Sequence, residues 1–503
     1  MKKNFAAWLF VIAIIVGTVL RGQDLLQPYE DGVRGEYAAL FSLMAKNHLR
    51  YGLYTTGGVG VLNPDRVGPR SFLYHLEHPP GAVLLATAGA RLGGTNPAGL
   101  RLLFLPFSIG VVLLIYRLTK PGGKRLAAAA GALAATLPVG VYYGAFVHFE
   151  VPTLFCLLLT LHQFLRFRRR GRRKHFIQSL ICFAAAVSFD WIALALPPLL
   201  LILLPLSRRP RATSRWLGAT AHAGYLLLVG LLVLGLVQLQ YKLQLGRYGM
   251  APSGEGIYQA GISALVHGGD WSRFRFLLCS FAQASYGWIV LAVAAVGLLF
   301  GMLRIIRRRL DDVQLAGLLM LGLGLIQLLL MTEKARDLDT FHVIYVMPAV
   351  CIFAALALFP AGLAARLPSR LLSAALILLL AWHATQAVSL LAERRSFTLS
   401  ELGVRVAEVT QPGTVIIVGR EQNSTTLQIA VSADRYVVFV HDVEGLYAAR
   451  TRAHWLGMEN CDTFFLVDQT ETNVIAPQLA QLLERAGTSR SERGFTIYTL
   501  PPM

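Results

Sequence analysis

Long apolar runs broken by short polar loops fill about four-fifths of this chain, and the runs are near the length that crosses a bilayer. Backbone groups in lipid must be satisfied within each segment, so the runs read as helices. The first run, 6–20, follows Lys2 and Lys3, and no small-residue cleavage site comes after it. It reads as a signal anchor and first span. Further runs cover 98–118, 126–143, 151–165, 176–189, 192–206, 216–241, 285–303, 313–331, 341–359 and 371–391. The pattern predicts about eleven spans. Between the first two lies a polar stretch, 21–96, in which 36–51 has helical periodicity. The segment 79–92 is apolar but short and opens on Pro79 and Pro80. It is expected to lie at the membrane interface.

From about residue 396 the pattern changes. Segments 415–418, 436–440, 463–467 and 495–499 are rich in β-branched and aromatic residues and read as strands. Segments 399–409, 446–456 and 474–486 read as helices. The expected fold class is therefore an α-helical polytopic membrane protein with a C-terminal soluble α/β domain. Its expected domains are 1–395 in the membrane, with interfacial helices in the outer loop 21–96, and 396–503 outside it. Gly419 after the first strand is a weak nucleotide-type signal, and Asn423-Ser424-Thr425 fits a glycosylation sequon.

Composition agrees. The 503 residues are 55% hydrophobic, and mean hydropathy is +0.54. The net charge of +19 raises nucleic acid as a partner, but its distribution excludes that class. The tail 396–503 carries eight arginines against twelve acids. The excess of positive charge sits in short loops such as 120–125, 166–174, 208–215 and 304–309, which all fall on one side of the alternation. That is the positive-inside pattern, with anionic inner-leaflet lipid as the natural partner. It places the N-terminus in the cytoplasm and the tail outside. Cys156, Cys182, Cys279 and Cys351 lie in apolar runs and Cys461 in the tail, with no metal spacing or disulfide framework.

The candidate chemistry is acidic and lies on the outer side. Carboxylates at a membrane surface are costly to desolvate and need a reason to be there. Asp31, flanked by Glu30 and Glu36, follows the first span by about ten residues. Glu36 also sits where an interfacial helix should start, so it suits a cap. Glu77 and His78 precede the two prolines, and His148 and Glu150 enter a later span. Glu150 equally suits the dipole of a helix N-terminus. Asp190 and Trp191 stand between two spans, where they suit a sugar by hydrogen bonding and stacking, or simply a helix turn. The loop 333–342 mixes Lys334, Arg336, Asp337, Asp339 and His342; its basic pair suits an anionic headgroup, although salt bridges explain that loop almost as well.

Taken in order, Glu30-Asp31, the run Ala45-Lys46-Asn47-His48-Leu49-Arg50-Tyr51-Gly52, His78-Pro79-Pro80 and the stretch Tyr142 to Glu150 resemble the polyprenyl-phosphate-dependent glycosyltransferases of the GT-C superfamily. The likeness is strongest to bacterial protein O-mannosyltransferases and lipid A aminoarabinose transferases, and covers roughly residues 1–390. It implies transfer of a sugar from a polyprenyl phosphate donor to a glycan, lipid or protein acceptor at the outer face of a bacterial inner membrane. Asp31 is then the expected base, with Glu36 and Glu150 as further catalytic carboxylates. His78, Arg50 and His342 would hold the donor phosphate, and Glu77, His148, Asp190 and Trp191 the substrate. A divalent cation, magnesium or manganese, is a candidate cofactor on Asp31 and Glu150. Two positions depart from the pattern. His78 replaces a lysine, and Asp190-Trp191 replaces a lysine-glycine pair. A transporter of similar topology, or a membrane scaffold without transferase activity, is the alternative.

Overall fold

The computed structural model describes residues 5–63, 68–207, 213–248, 275, 279, 285–306, 310–330, 340–359, 369–393, 396–410, 415–418, 426–440, 442–455, 463–468, 476–486, 488–492 and 495–499. Lys334, Arg336, Asp337, Asp339, Gly419, residues 423–425 and Cys461 lie outside these.

The chain begins with α1 (Phe5–Gly22), whose Gly17 touches the backbone of a later helix, α6 (Lys124–Thr136). A Cβ at Gly17 would stand 2.2 Å from the Ala135 carbonyl oxygen, so no larger residue permits this approach. Arg21 closes α1. Its guanidinium donates to the carbonyls of Gly17 (2.9 Å), Ala135 (2.6 Å) and Ala134 (3.1 Å), and to Ser108 Oγ (2.9 Å). A cation thus meets the unsatisfied carbonyls at the C-terminus of α6, where the helix dipole favours it.

Two helices follow in the polar stretch. α2 (Val33–Tyr51) packs on α4 (Gly81–Gly93), with the short α3 (Leu53–Thr56) and a two-strand ladder of β1 (Gly60–Val61) and β2 (Tyr74–His75) between them. With 13 residues, α4 is about 20 Å long, too short to cross the hydrocarbon core. α2 starts at Val33, three residues before the expected position 36. The turn into it uses Gly32 at φ 86°, a conformation that glycine adopts without strain.

α5 (Pro97–Thr119) is capped by Asn96, whose side chain accepts from Gly99 N. The expected span 126–143 is broken: α6 ends at Thr136 and a separate α7 (Pro138–Tyr142) follows, because Pro138 has no N–H to continue the ladder. Then come α8 (Glu150–Arg170), α9 (Arg173–Phe189), α10 (Leu196–Leu203) and the long α11 (Thr213–Arg247). The remaining described membrane helices are Trp288–Ile306, Asp312–Leu330, Met347–Leu358 and Ser369–Glu393. Among the described residues four stretches are long and apolar enough to cross a membrane, and further apolar helices are shorter. The shortening has local causes: α10 is flanked by 3-10 turns, and a 3-10 segment, Thr340–Val346, precedes Met347–Leu358. The chain is a multi-pass, mostly helical membrane protein.

In the tail, β3 (Val415–Val418) pairs in parallel with β4 (Tyr436–Phe439) and β5 (Thr463–Asp468). β7 (Phe495–Thr499) runs antiparallel to β5 and to β6 (Thr488–Glu492), giving the order β4-β3-β5-β7-β6. The tail is seated on the outer loop. Val431 and Leu427 join the apolar cluster of Phe41, Met44 and Ala45 on α2. Val440, Leu446 and Leu479 join Val59, Phe72 and Tyr241.

Candidate functional site

Buried polar groups gather at the end of the bundle where α8 begins. Glu150 opens α8, with its carboxylate at the favourable end of the helix dipole. Its Oε2 accepts from His148 Nδ1, and its Oε1 lies 3.5 Å from His342 Nδ1. Gln327 Nε2 lies 3.1 Å from the same His342 nitrogen. Asp190 sits at the C-terminus of α9, where the dipole disfavours a carboxylate. Specific partners offset that: Tyr345 donates to Oδ2 at 3.0 Å, and His78 Nδ1 lies 3.5 Å from Oδ1. Phe149 links the two halves, with its ring centroid 3.9 Å from both His78 and His148. Tyr37 and Phe41 on α2 meet His148 edge-on at 4.4 and 5.4 Å. Burial, together with the neighbouring His78, His342 and His75, pushes the His148 imidazole well below its ordinary value. Trp191 Nε1 donates to the Glu77 carbonyl at 3.1 Å, and Tyr241 to that of His78 at 2.5 Å. Thus Glu77, His78, His148, Glu150, Asp190, Trp191 and His342, which are widely separated in the sequence, occupy one region.

Asp31, two residues before α2, is turned toward the tail. Its Oδ2 accepts from Ser396 Oγ (2.5 Å) and Thr398 N (3.1 Å), and its Oδ1 from Leu399 N (2.9 Å). Its own N–H donates to the Ser396 carbonyl at 2.6 Å. The carboxylate therefore satisfies the first amides of the helix Thr398–Val409, as a capping acid does. Ser400 Oγ donates to the Tyr29 carbonyl, and Gln428 to that of Gly32. Arg50 also faces the tail: Arg50 Nη2 and Lys46 Nζ lie 3.6 and 3.0 Å from Asp434 Oδ1. Glu36 lies in the first turn of α2, and its N–H closes that turn onto the Gly32 carbonyl.

A buried charge network, not foreseen from the sequence, frames the acidic loop. Arg34 Nη2 is 2.7 Å from Asp24 Oδ2, and Arg34 Nε bonds Glu30 Oε1. Arg34 Nη1 donates to the Tyr142 carbonyl, and the guanidinium lies 4.6 Å from that tyrosine's ring centroid. Arg101 donates to the carbonyls of Asp24, Gln27 (2.6 Å) and Pro28 (3.0 Å). Burial alone disfavours the charged Arg34, but Glu30, Tyr142 and Asp24 outweigh it and hold the guanidinium protonated. The available signal was the charge itself, since Asp24, Glu30, Arg34 and Arg101 sit beside apolar runs.

A groove of about 510 Å³ opens between α3 and the last turns of α11, lined by Leu53, Tyr54, Gly57, Leu236, Leu239, Gln240, Leu243, Gln244 and Arg247. Arg247 stands at its end, 4.4 Å from the Tyr54 ring centroid, and donates to the Tyr54 carbonyl at 3.1 Å. Among the described residues no group of three or more His, Cys, Asp or Glu side chains is arranged to hold a metal ion. Asp31 and Glu150, the acids expected to share a cation, hold separate partners, the tail for Asp31 and two histidines for Glu150.

This arrangement of helices has known counterparts. Across 100% of both chains it superposes on ArnT from Cupriavidus metallidurans, with TM-score 0.61 and 13% identity in the apo state. The TM-score is 0.63, at 14% identity and the same coverage, for that protein bound to undecaprenyl phosphate. The archaeal oligosaccharyltransferase AglB from Archaeoglobus fulgidus, in complex with an inhibitory peptide and a dolichol-phosphate, matches with TM-score 0.58 and 14% identity over 99% of this chain and 74% of that one. The chain shares the fold of these proteins. At these identities the likeness is one of fold. The profile of the family described as dolichyl-phosphate-mannose-protein mannosyltransferase matches residues 77–234 of this chain. That stretch contains Glu77, His78, His148, Glu150, Asp190 and Trp191. No curated protein matches the chain in sequence.

Proposed function

We propose that this protein is a GT-C glycosyltransferase that moves a sugar from a polyprenyl phosphate donor to an acceptor at the extracytoplasmic face. The observation that carries this reading is the gathering of Glu150, Asp190, His78, His148 and His342 from separate segments at one end of the bundle, against α2, the helix that Asp31 precedes. Buried ionisable groups in a membrane protein are expensive and mark substrate sites. The groove beside α11 supports a lipid-borne substrate. Four leucines line it beside Tyr54, Gln240 and Gln244, and its end carries a guanidinium, which suits an isoprenoid chain followed by a phosphate. The ArnT and AglB structures that share the fold contain undecaprenyl phosphate and dolichol-phosphate.

Asp31 is the proposed base. Glu30, Glu150 and Asp190 are almost completely enclosed, whereas Asp31 is half-exposed, so an acceptor hydroxyl can reach it. Three donors from the tail occupy part of its lone-pair capacity of about four. As the acceptor oxygen attacks the anomeric carbon, Asp31 takes its proton. The bond from that carbon to the donor phosphate breaks, and its electron pair leaves with the phosphate. Attack opposite the leaving group inverts the anomeric centre. His78, His342 and Arg247 are the proposed donors to the departing phosphate.

The test is mass spectrometry of outer-surface glycans and glycolipids from cells with and without the protein. A sugar-bearing product should appear with the wild type and vanish with Asp31→Asn at equal protein level. Ser396→Ala, which loosens the tail contact but leaves the carboxylate, should keep it. An undiminished product in Asp31→Asn removes Asp31 from the mechanism, and no product with the wild type removes the transferase reading.

A further inference from the structure

The opposite end of α8 carries a second concentration of charge, and the transferase reading makes no use of it. α8 has 21 residues and so spans about 31 Å, close to the thickness of a hydrocarbon core. Its last turn and a half reads Arg166-Phe167-Arg168-Arg169-Arg170. These arginines fall into two groups. Arg168 donates to Asp312 Oδ1 at 3.0 Å and to Ser207 Oγ at 2.7 Å, and Arg169 Nε lies 2.8 Å from Asp312 Oδ2. Those two fasten α8 to the start of the helix Asp312–Leu330.

The second group has no such work. Arg166 and Arg170 lie one turn apart on one face of α8, Arg117 lies in the last turn of α5, which packs along α8, and Arg172 lies in the turn to α9. Among the described residues no side chain of Arg117, Arg166, Arg170 and Arg172 makes a hydrogen bond or an ion pair. Arg166 is near enough to Arg170, Arg117 and Arg172, and to the paired Arg169, for their charges to oppose its own. Like charges one turn apart destabilise a helix. Satisfying the positive-inside pattern requires only that cations be present, not that they converge.

We propose that Arg117, Arg166, Arg170 and Arg172 form a binding site for the phosphate headgroup of an anionic phospholipid. Guanidinium forks match phosphate oxygens in pairs, and a bound phosphate relieves the repulsion among the four. Position selects a lipid over free phosphate. Leu113 stands one turn before Arg117 on α5, and Ile177 and Ile181 lie on α9 just beyond Arg172; all three are exposed apolar side chains. Acyl chains would lie on those residues while the headgroup meets the arginines. This site is independent of the sugar-transfer reading.

The experiment is native mass spectrometry of the full chain released from micelles containing dioleoylphosphatidylglycerol or dioleoylphosphatidylcholine. The wild type should retain phosphatidylglycerol in preference to phosphatidylcholine. Arg166→Gln with Arg170→Gln should lower that retention about thirtyfold. The control, Lys124→Gln with Arg125→Gln, removes the same charge from the first turn of α6 and should leave retention within about threefold of wild type. Arg117→Gln alone, a milder change on an exposed side chain, should lower retention about fivefold and serves if the double variant does not fold. Equal losses in both double variants, or undiminished binding to Arg117→Gln, would show diffuse attraction and overturn the site. Full displacement of the lipid by millimolar inorganic phosphate would overturn the assignment to a lipid.

Discussion

The network around Arg34 makes the sharpest energetic prediction. Arg34 is paired with Asp24 and Glu30, and the side chains in these pairs are 7%, 5% and 4% exposed. With Arg101 the four charges sum to zero. Arg34→Met leaves two buried carboxylates facing one guanidinium, and breaking a buried pair in this way costs about 3–5 kcal/mol. Glu30→Gln leaves Arg34 still bonded to Asp24 and loses one charge-assisted bond, about 1.5–3 kcal/mol. The double variant restores neutrality. Its cost should therefore fall short of the sum of the single costs by about 2 kcal/mol. The assay is unfolding of the purified protein in mixed micelles by sodium dodecyl sulfate, followed by tryptophan fluorescence. Additivity within about 0.5 kcal/mol would mean that the charges do not feel one another. An Arg34→Met variant as stable as wild type would refute the network outright.

Other consequences can be measured separately. His48 is buried in α2, with Nε2 donating to the Val59 carbonyl (2.9 Å) and Nδ1 against Thr87 Oγ1 (2.8 Å); burial pushes its pKa below 6.5. The unfolded chain then binds the proton first, so this stability is present above the unfolded value and is lost as pH falls below it. Melting temperature should drop between pH 7 and 5, less steeply in His48→Gln, and parallel curves would contradict this. At Gly297 a Cβ would stand 1.9 Å from the Phe353 carbonyl oxygen, while at Gly301 it would meet only the Phe353 ring edge at 3.3 Å. Gly297→Ala should cost about 1–3 kcal/mol and Gly301→Ala clearly less, and the reverse order in thermal unfolding would reject the close approach. Arg247→Gln should lower retention of undecaprenyl phosphate about tenfold or more in native mass spectrometry; unchanged retention removes the groove as the lipid site.

Sequence position and spatial position agree best where topology alone decides. Glu77, His78, His148, Glu150, Asp190 and His342 were legible because alternation puts the ends of their helices on one side, and polar side chains at those ends have few other places to go. The strands at 415–418 and 495–499 lie where β-branched residues cluster. What escaped depends on partners far away in the chain. Arg50, an expected phosphate ligand, also faces Asp434, which is nearly four hundred residues on. Nothing local announces that Arg34 and Arg101 will share a frame with Asp24 and Glu30. β6, Thr-Ser-Arg-Ser-Glu, has no apolar alternation and is a strand only because β7 offers it an edge. The break at Pro138 was visible as a residue, but not as the end of a helix inside an apolar run.

The bonds from Asp31 to Ser396, Thr398 and Leu399 join positions 365 to 368 residues apart. A ribosome delivers the first span and its acidic loop long before it delivers their partners, and synthesis at about 5–20 residues per second leaves the loop waiting tens of seconds. Throughout that interval the entry to α2 must be kept in order by the membrane helices alone. Shortening the chain at its far end would therefore be felt first near its beginning.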